Sequence, residues 1–262
     1  MIQPITPALL DETFLRERIY PDLESTYYWS SSWDPDFYIA LARAGFISVS
    51  FEHPTLGTLL LPEIQNAYAV LDWDELHVSR KLRKLLRSGR LESEGLELRI
   101  VARCERVVGR LIAYHEDAIW LTPPYRALLS RLPTGPRTDF ALHGVELWSR
   151  RRDELVAGEI GYSIGSTYTS LSGFCTRGNP ERRHLGTLQM VWLAHLLRDR
   201  GYAFWNMGHP SLSYKGALGA RTLSRFRFLE RWLHARDERP RRHLALDEGA
   251  ERRSRSRLDE LI

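Results

Sequence analysis

The chain has 262 residues, 43% of them hydrophobic and 27% charged, the balance of a folded globular protein and not of a disordered one. No apolar run approaches the roughly 18 residues of a membrane span, and the opening MIQPITPALLDETFLRER lacks the basic-then-apolar order of a secretory signal. Cys104 and Cys175 are the two cysteines, too few for a disulfide framework or an all-cysteine zinc site, so a cytoplasmic protein is expected.

Charge is unevenly spread. Residues 1–75 carry three arginines against twelve acids, while the rest carries 34 basic residues against 21 acids. A body with that excess suits a polyanionic partner. Lys81, Lys84 and Lys215 are the three lysines among 37 basic residues, a bias that phosphate recognition and a GC-rich genome explain equally.

In chain order, the aromatic cluster Tyr27, Tyr28, Trp29 and Trp33 reads as core or as an apolar pocket wall. Residues 36–45 predict a short helix ended by glycine, and 74–88 a longer one with Asp74 as N-cap and Gly89 as its stop. Residues 98–103 predict a strand and 123–132 a helical stretch opened by two prolines. Strands follow at 144–148, 155–164 and 166–174, the last two joined by a tight turn at Gly165-Ser166. A helix is expected at 185–200, a short buried strand at 203–207 and an amphipathic helix at 222–235. The Arg- and acid-rich tail from Arg236 predicts a frayed helix or an extension. This order describes an α+β protein whose mixed sheet is flanked by helices. A smaller helix-rich lobe is expected over 1–95, a catalytic domain over 96–235 and a charged tail over 236–262.

The strongest chemical signal is LHVSRKLRKLLRSGR at 76–90, six positive charges with no acid. Arg80, Arg83, Lys84 and Arg87 share one helical face while Val78, Leu82, Leu85 and Leu86 can pack inward. Such a face docks a phosphate backbone, or is simply a solvated basic surface. The strand end YTSLSGF and the following CTRGNPERRH precede a helix start, where backbone N–H groups can hold an acyl oxygen or a phosphate. Arg183 to Leu188 resembles an acetyl-CoA phosphate loop, but Leu188 stands where that loop needs a small residue. Asn206 ends a buried strand and His209 and Lys215 follow it, each with a structural reading beside the functional one. No His spacing suits a metal and no G-x-S-x-G elbow is present, so neither a metal nor a bound cofactor is expected.

Taken together, AVLDWDELHVSRKLRKLLR (69–87), IWLTP (119–123), LHGVELW (142–148), LVAGEIGYSIG (155–165) and LGA…R..FL (218–229) resemble the leucyl/phenylalanyl-tRNA–protein transferases. That resemblance implies an acetyltransferase-like (GNAT) catalytic domain that moves an amino acid from its tRNA to a protein N terminus, marking the protein for degradation. It implies tRNA contacts from Arg80, Lys81, Arg83, Lys84 and Arg87, and a stacking role for Trp120 beside the terminal adenosine. Glu146, Ser172, Gly173, Phe174, Tyr214 and Lys215 would line the substrate site, with Asn206 and His209 at the reacting centre. Aminoacyl-tRNA would be the co-substrate of a monomer acting away from membranes. Two departures accompany the resemblance: the acid of the usual Gly-Glu-Ser-Met-Phe strand is Leu171 here, and that of the usual Asp-Cys-Gln falls at Asn206. Their loss unsettles the preference for a basic acceptor residue. A small-molecule or lipid-linked acceptor, or a binding protein without catalysis, are the other readings.

Overall fold

The architecture comes from a computed structural model that describes residues 2–115, 120–134, 140–176 and 184–244. A short parallel pair, β1 (Gln3–Pro4) with β2 (Tyr28–Trp29), encloses α1 (Glu12–Phe14), which Asp11 caps by accepting from the N–H groups of Thr13 and Phe14. Asp34 caps α2 (Pro35–Arg43) through the Phe37 N–H at 2.9 Å, and Gly45 ends it with φ +92°.

Where a helix-rich lobe is expected, the chain next makes a hairpin of β3 (Ile47–His53) and β4 (Gly57–Glu63), paired from Ile47 with Glu63 to His53 with Gly57. ISVSFEH and GTLLLPE carry the β-branched and apolar residues that suit a half-buried pleat, an element that the sequence reading leaves unassigned. β5 (Ala67–Leu71) then enters the central sheet, with Tyr68 and Val70 facing one core and Ala69 and Leu71 the other.

The helix expected from Asp74 starts later. Trp73–Glu75 makes a 3₁₀ turn, Ser79 caps through the Leu82 N–H at 3.2 Å, and α3 runs over Arg80–Leu86. The intervening backbone is held elsewhere: the His77 N–H donates to the Leu218 carbonyl at 2.9 Å and the Trp73 indole to the Tyr202 carbonyl at 2.7 Å. A short α4 (Arg90–Glu94) leads to β6 (Leu96–Val101), followed by α5 (Glu105–Tyr114) and α6 (Pro123–Leu129).

β7 (Ala141–Ser149), β8 (Glu154–Ile164) and β9 (Thr167–Cys175) form an antiparallel meander. Gly165 and Ser166 turn β8 into β9, Gly165 with φ +53°. α7 (Leu185–Asp199) crosses over to β10 (Phe204–Asn206), which lies parallel to β9. α8 (Ser213–Ala217), β11 (Arg221–Ser224) and α9 (Arg225–Ala235) complete the order, so the helix expected from 222 begins as a strand paired with β5.

Seven strands form one mixed sheet, β11-β5-β10-β9-β8-β7-β6, in which β9 and β10 are the parallel neighbours. Leucines of α3 and the apolar face of α7 pack on one side with Val145, Leu147 and Trp205. Residues of α2, α5, α6 and α9 pack on the other with Ile160, Tyr162 and Phe204. The start of the expected tail is also packed: the Arg242 N–H reaches the Arg200 carbonyl, the Leu244 N–H reaches the Tyr202 hydroxyl, and Leu244 is buried. Residues 245–262, and 177–183 of the loop before α7, lie outside the described residues. Among the described residues no helix is long and apolar enough to cross a membrane.

Candidate active site

The three residues of β10 pair with Thr167, Tyr168 and Thr169, whereas β9 continues to Cys175. From Ser170 onward β9 therefore has no strand on its β10 side, and a cavity of about 530 Å³ opens there. Ser170–Cys175, the first turns of α7, the end of α5, and Met207, Leu212, Tyr214 and Lys215 line it. Parallel strands that part at a crossover helix leave such a crevice for geometric reasons alone. A bulge shapes its wall: Ile160 pairs with Ser172 and Gly161 with Ser170, so Leu171 has no partner on β8.

One carboxyl group faces this cavity from the described residues, and it comes from β8. Glu159 is buried at 4% exposure. Its Oε1 accepts from the Tyr168 hydroxyl at 2.9 Å and the Ser170 hydroxyl at 2.8 Å, and its Oε2 from Gln189 Nε2 at 3.3 Å. Burial raises its pKa above the usual carboxylate range, and those three hydrogen bonds pull in the opposite direction. Lys215 lies nearby, its Nζ donating at 2.6 Å to the carbonyls of Met207 and His209. Burial pulls its pKa down to about 8. The Tyr214 phenol is pushed up to about 12 by burial, with the Glu159 charge adding to the rise.

Of the residues expected in the substrate site, Ser172, Gly173, Phe174, Tyr214 and Lys215 come together around this cavity. The others do not. Asn206 is buried; its Oδ1 accepts from the Gly208 N–H at 2.9 Å and its Nδ2 lies 3.4 Å from Thr169 Oγ1, so it fixes the turn leaving β10. His209 is exposed, with Nδ1 accepting from the Ser211 N–H at 3.3 Å. Neither side chain is among the residues that line the cavity. Trp120 is half-buried against Tyr125, its ring 5.4 Å away edge-on, and its carbonyl accepts from Ser50 Oγ. It belongs to the wall of the core around Tyr125. Glu146 sits buried on β7 with Arg106 at 3.7 Å, beside a Trp148 ring whose centroid is 4.9 Å from the Arg99 guanidinium and 5.0 Å from that of Arg106.

Arg80, Lys81, Arg83, Lys84 and Arg87 are all exposed, while Val78, Leu82, Leu85 and Leu86 are buried. Among the described residues no three His, Cys, Asp or Glu side chains come together as a metal site.

The model of the leucyl/phenylalanyl-tRNA protein transferase family matches residues 70–233. The chain belongs to this family. The leucyl/phenylalanyl-tRNA–protein transferase of Pseudomonas aeruginosa is 30% identical over 172 residues, covering 65% of this chain and 69% of that protein. The Pseudomonas paraeruginosa protein of the same name is 30% identical over 190 residues and covers 71% of each. Among solved structures, L-PGS from Bacillus licheniformis is 15% identical, with a TM-score of 0.42 and coverage of 60% of this chain and 57% of that one.

In this family member the cavity and the basic helix both fall inside the matched span. Sequence reasoning missed Glu159. The available signal was strand parity: within LVAGEIGYSIG, Ile160, Tyr162 and Ile164 face one core, which puts Glu159 on the opposite side.

Proposed function

We propose that this protein is an aminoacyl-tRNA-dependent transferase that joins a tRNA-carried amino acid of the Leu, Phe or Met kind to the N terminus of a protein or peptide. The observation that carries the reading is a cavity within the family-matched span that combines a buried carboxyl, a buried lysine and an unpaired strand edge. The neighbouring sheet, with its parallel β9 and β10 around a crossover helix, supports an acetyltransferase-like arrangement of this half.

The ester linking amino acid to tRNA is already activated, and an α-amine with a pKa of about 7.7–8.0 is substantially neutral at neutral pH. Holding amine and ester at attack distance can therefore supply much of the rate, about 7–11 kcal/mol. The unpaired edge of β9 around Ser172–Phe174 offers backbone donors for the developing oxyanion. Tyr214 and Lys215 close the opposite side. Arg80, Lys81, Arg83, Lys84 and Arg87 form the face that receives the acceptor-stem phosphates, an assignment supported by their common exposure over a buried leucine seam. No cofactor enters the scheme, since the tRNA ester brings the activation. The protein is taken to act as a cytoplasmic monomer.

The test is a donor screen with tRNA charged with each labelled amino acid, offered with a mixed peptide pool and cell extract and read by mass spectrometry. Label on a peptide N terminus is the expected product. Label in a small metabolite or lipid would redirect the acceptor, and bound charged tRNA without any product would overturn the transferase reading.

A further inference from the structure

A buried carboxylate without a cation is costly. Glu159 is in that position: its three hydrogen-bond donors, Tyr168, Ser170 and Gln189, are all neutral. Among the described residues no Lys, Arg or His nitrogen lies within 4.0 Å of it. Lys215, the other charged group of the cavity, directs its ammonium to two backbone carbonyls instead. The donors are also unevenly placed. Oε1 takes two short hydroxyl bonds, whereas Oε2 has one long amide contact and so keeps accepting capacity on a residue that lines the cavity.

We infer that Glu159 is the amine receptor of this cavity: Oε2 binds the ammonium of the acceptor and takes its proton. This rests on the transferase reading. In the step, the ammonium gives one proton to the Glu159 carboxylate and becomes a neutral amine. The amine nitrogen then attacks the ester carbonyl carbon; the C–N bond forms, the C–O bond to the ribose breaks, and the second proton moves from nitrogen to the departing ribose oxygen. Glu159 returns its proton to water. A purely structural carboxyl would need none of this, because the side-chain oxygen of a glutamine of the same shape can also accept from the Tyr168 and Ser170 hydroxyls, though less strongly than a carboxylate.

The titratable groups around Glu159 are Tyr168 and Cys175 on β9, Tyr114 and His115 at the end of α5, and Tyr214 and Lys215 on α8. The pocket residues of α7, including Thr187, Gln189 and Met190, do not titrate.

The experiment compares the full-length wild type with Glu159→Gln and Glu159→Asp. Calorimetry measures binding of two dipeptide amides, Phe-Ala and Arg-Ala, each with a free and an N-acetylated terminus. The wild type is expected to prefer the free amines by about tenfold or more, a preference that Gln abolishes and Asp keeps in part. Equal binding of acetylated and free forms by the wild type, no binding of either, or an unaltered preference in Glu159→Gln overturns the inference. In the transfer assay Glu159→Gln is expected to lose about 100-fold in kcat/KM and the acidic limb of its pH profile, with charged-tRNA affinity unchanged. Activity within about threefold of wild type with the same pH profile also overturns it. An intact amine preference in a wild type that transfers from no charged tRNA refutes the transferase reading and leaves the amine site standing. Unfolding midpoints of all three proteins show that the variants are folded.

Discussion

Trp205 and Glu159 are tied through one hydroxyl. The Trp205 indole N–H donates to Ser170 Oγ at 2.8 Å, and that hydroxyl donates to Glu159 Oε1, also at 2.8 Å. The chain of donors runs from the α7-side core of β10 across β9 to the carboxyl on β8, so three separate strands converge on one oxygen.

Ser170→Ala removes the middle of that chain. It leaves the Trp205 N–H without its partner and takes a donor from Glu159, so a cost of about 1–3 kcal/mol is expected. The pH dependence has a definite sign. Burial already raises the folded pKa of Glu159, and loss of the hydroxyl raises it further. Between the unfolded and folded values the native state then holds the extra proton, so stability falls as pH rises through that window. Urea unfolding should therefore show a larger penalty at pH 7 than at pH 4. A penalty equal at both would mean that Glu159 does not depend on Ser170.

Gly161 guards the same network from the other side. A Cβ there would lie 2.3 Å from the Tyr168 hydroxyl oxygen and 2.6 Å from the Thr169 carbonyl oxygen. Gly161→Ala must displace Tyr168 from Glu159, its partner at 2.9 Å, or move β9. A loss of about 1–3 kcal/mol is expected from the overpacking, together with a fall in transfer activity. Retained activity with an unaltered unfolding midpoint would show that the Tyr168 contact is dispensable.

Much of the meander and the crossover helix was legible in the sequence because their periods are strong. The alternation in 155–164 and the apolar face of 185–200 lie close to the observed β8 and α7. The pieces missed are those whose identity depends on distant partners. β11 has four residues and exists through pairing with β5, far earlier in the chain, where Thr222 faces Ala69. Asp74 was a plausible cap, but the backbone after it is held by Leu218, so Ser79 caps instead. The same holds for the site. Ser172–Phe174, Tyr214 and Lys215, which the family resemblance implies for the substrate site, line the cavity, whereas the bulge that frees Leu171 and the network that buries Glu159 are products of strand pairing. Asn206 shows the converse, since a polar strand end can as well hold its own turn.

The basic helix makes an electrostatic prediction. For every phosphate that α3 no longer neutralises, the salt dependence of tRNA binding should become shallower by about one in log–log slope. Arg80→Ala with Arg83→Ala should thus weaken binding and lower that slope by about two. Arg227→Ala, on the exposed face of α9 beside Glu230, should leave the slope unchanged. Equal effects from the two variants would assign binding to net charge and not to α3.

His143 is a built-in acid sensitivity. It is buried, with Nε2 2.9 Å from Ser163 Oγ, and burial, helped by the charges of Arg200 and His243, pulls its pKa down to about 3. The unfolded state therefore binds a proton near pH 6.5 that the native state refuses until about pH 3. Its contribution to stability is complete above pH 6.5 and is lost as pH falls toward 3. His143→Gln should flatten the wild-type decline over this interval, with the two curves differing in slope by about one proton. Parallel curves would place the acid sensitivity in other groups.

Arg225 tests the architecture. Its side chain is fully buried, and its guanidinium binds two separate stretches of backbone. Nη1 donates to the carbonyls of Ile19, Tyr20 and Asp22, while Nε and Nη2 reach the Gln65 carbonyl at 3.1 Å, the Ile64 carbonyl at 2.7 Å and Asn66 Oδ1 at 2.8 Å. The N-terminal segment is thus pinned to the approach of β5 by one planar fork at the start of α9. A lysine keeps the charge but offers three donors from a single point, so it cannot span both stretches. Arg225→Lys is expected to cost about 3 kcal/mol, because several buried carbonyls lose their partner at once. Limited proteolysis should then cut first within residues 2–29, ahead of global unfolding. A variant within about 1 kcal/mol of wild type, with its N-terminal segment still protected, would show that apolar packing around Tyr20 and Tyr28 holds the segment without the fork.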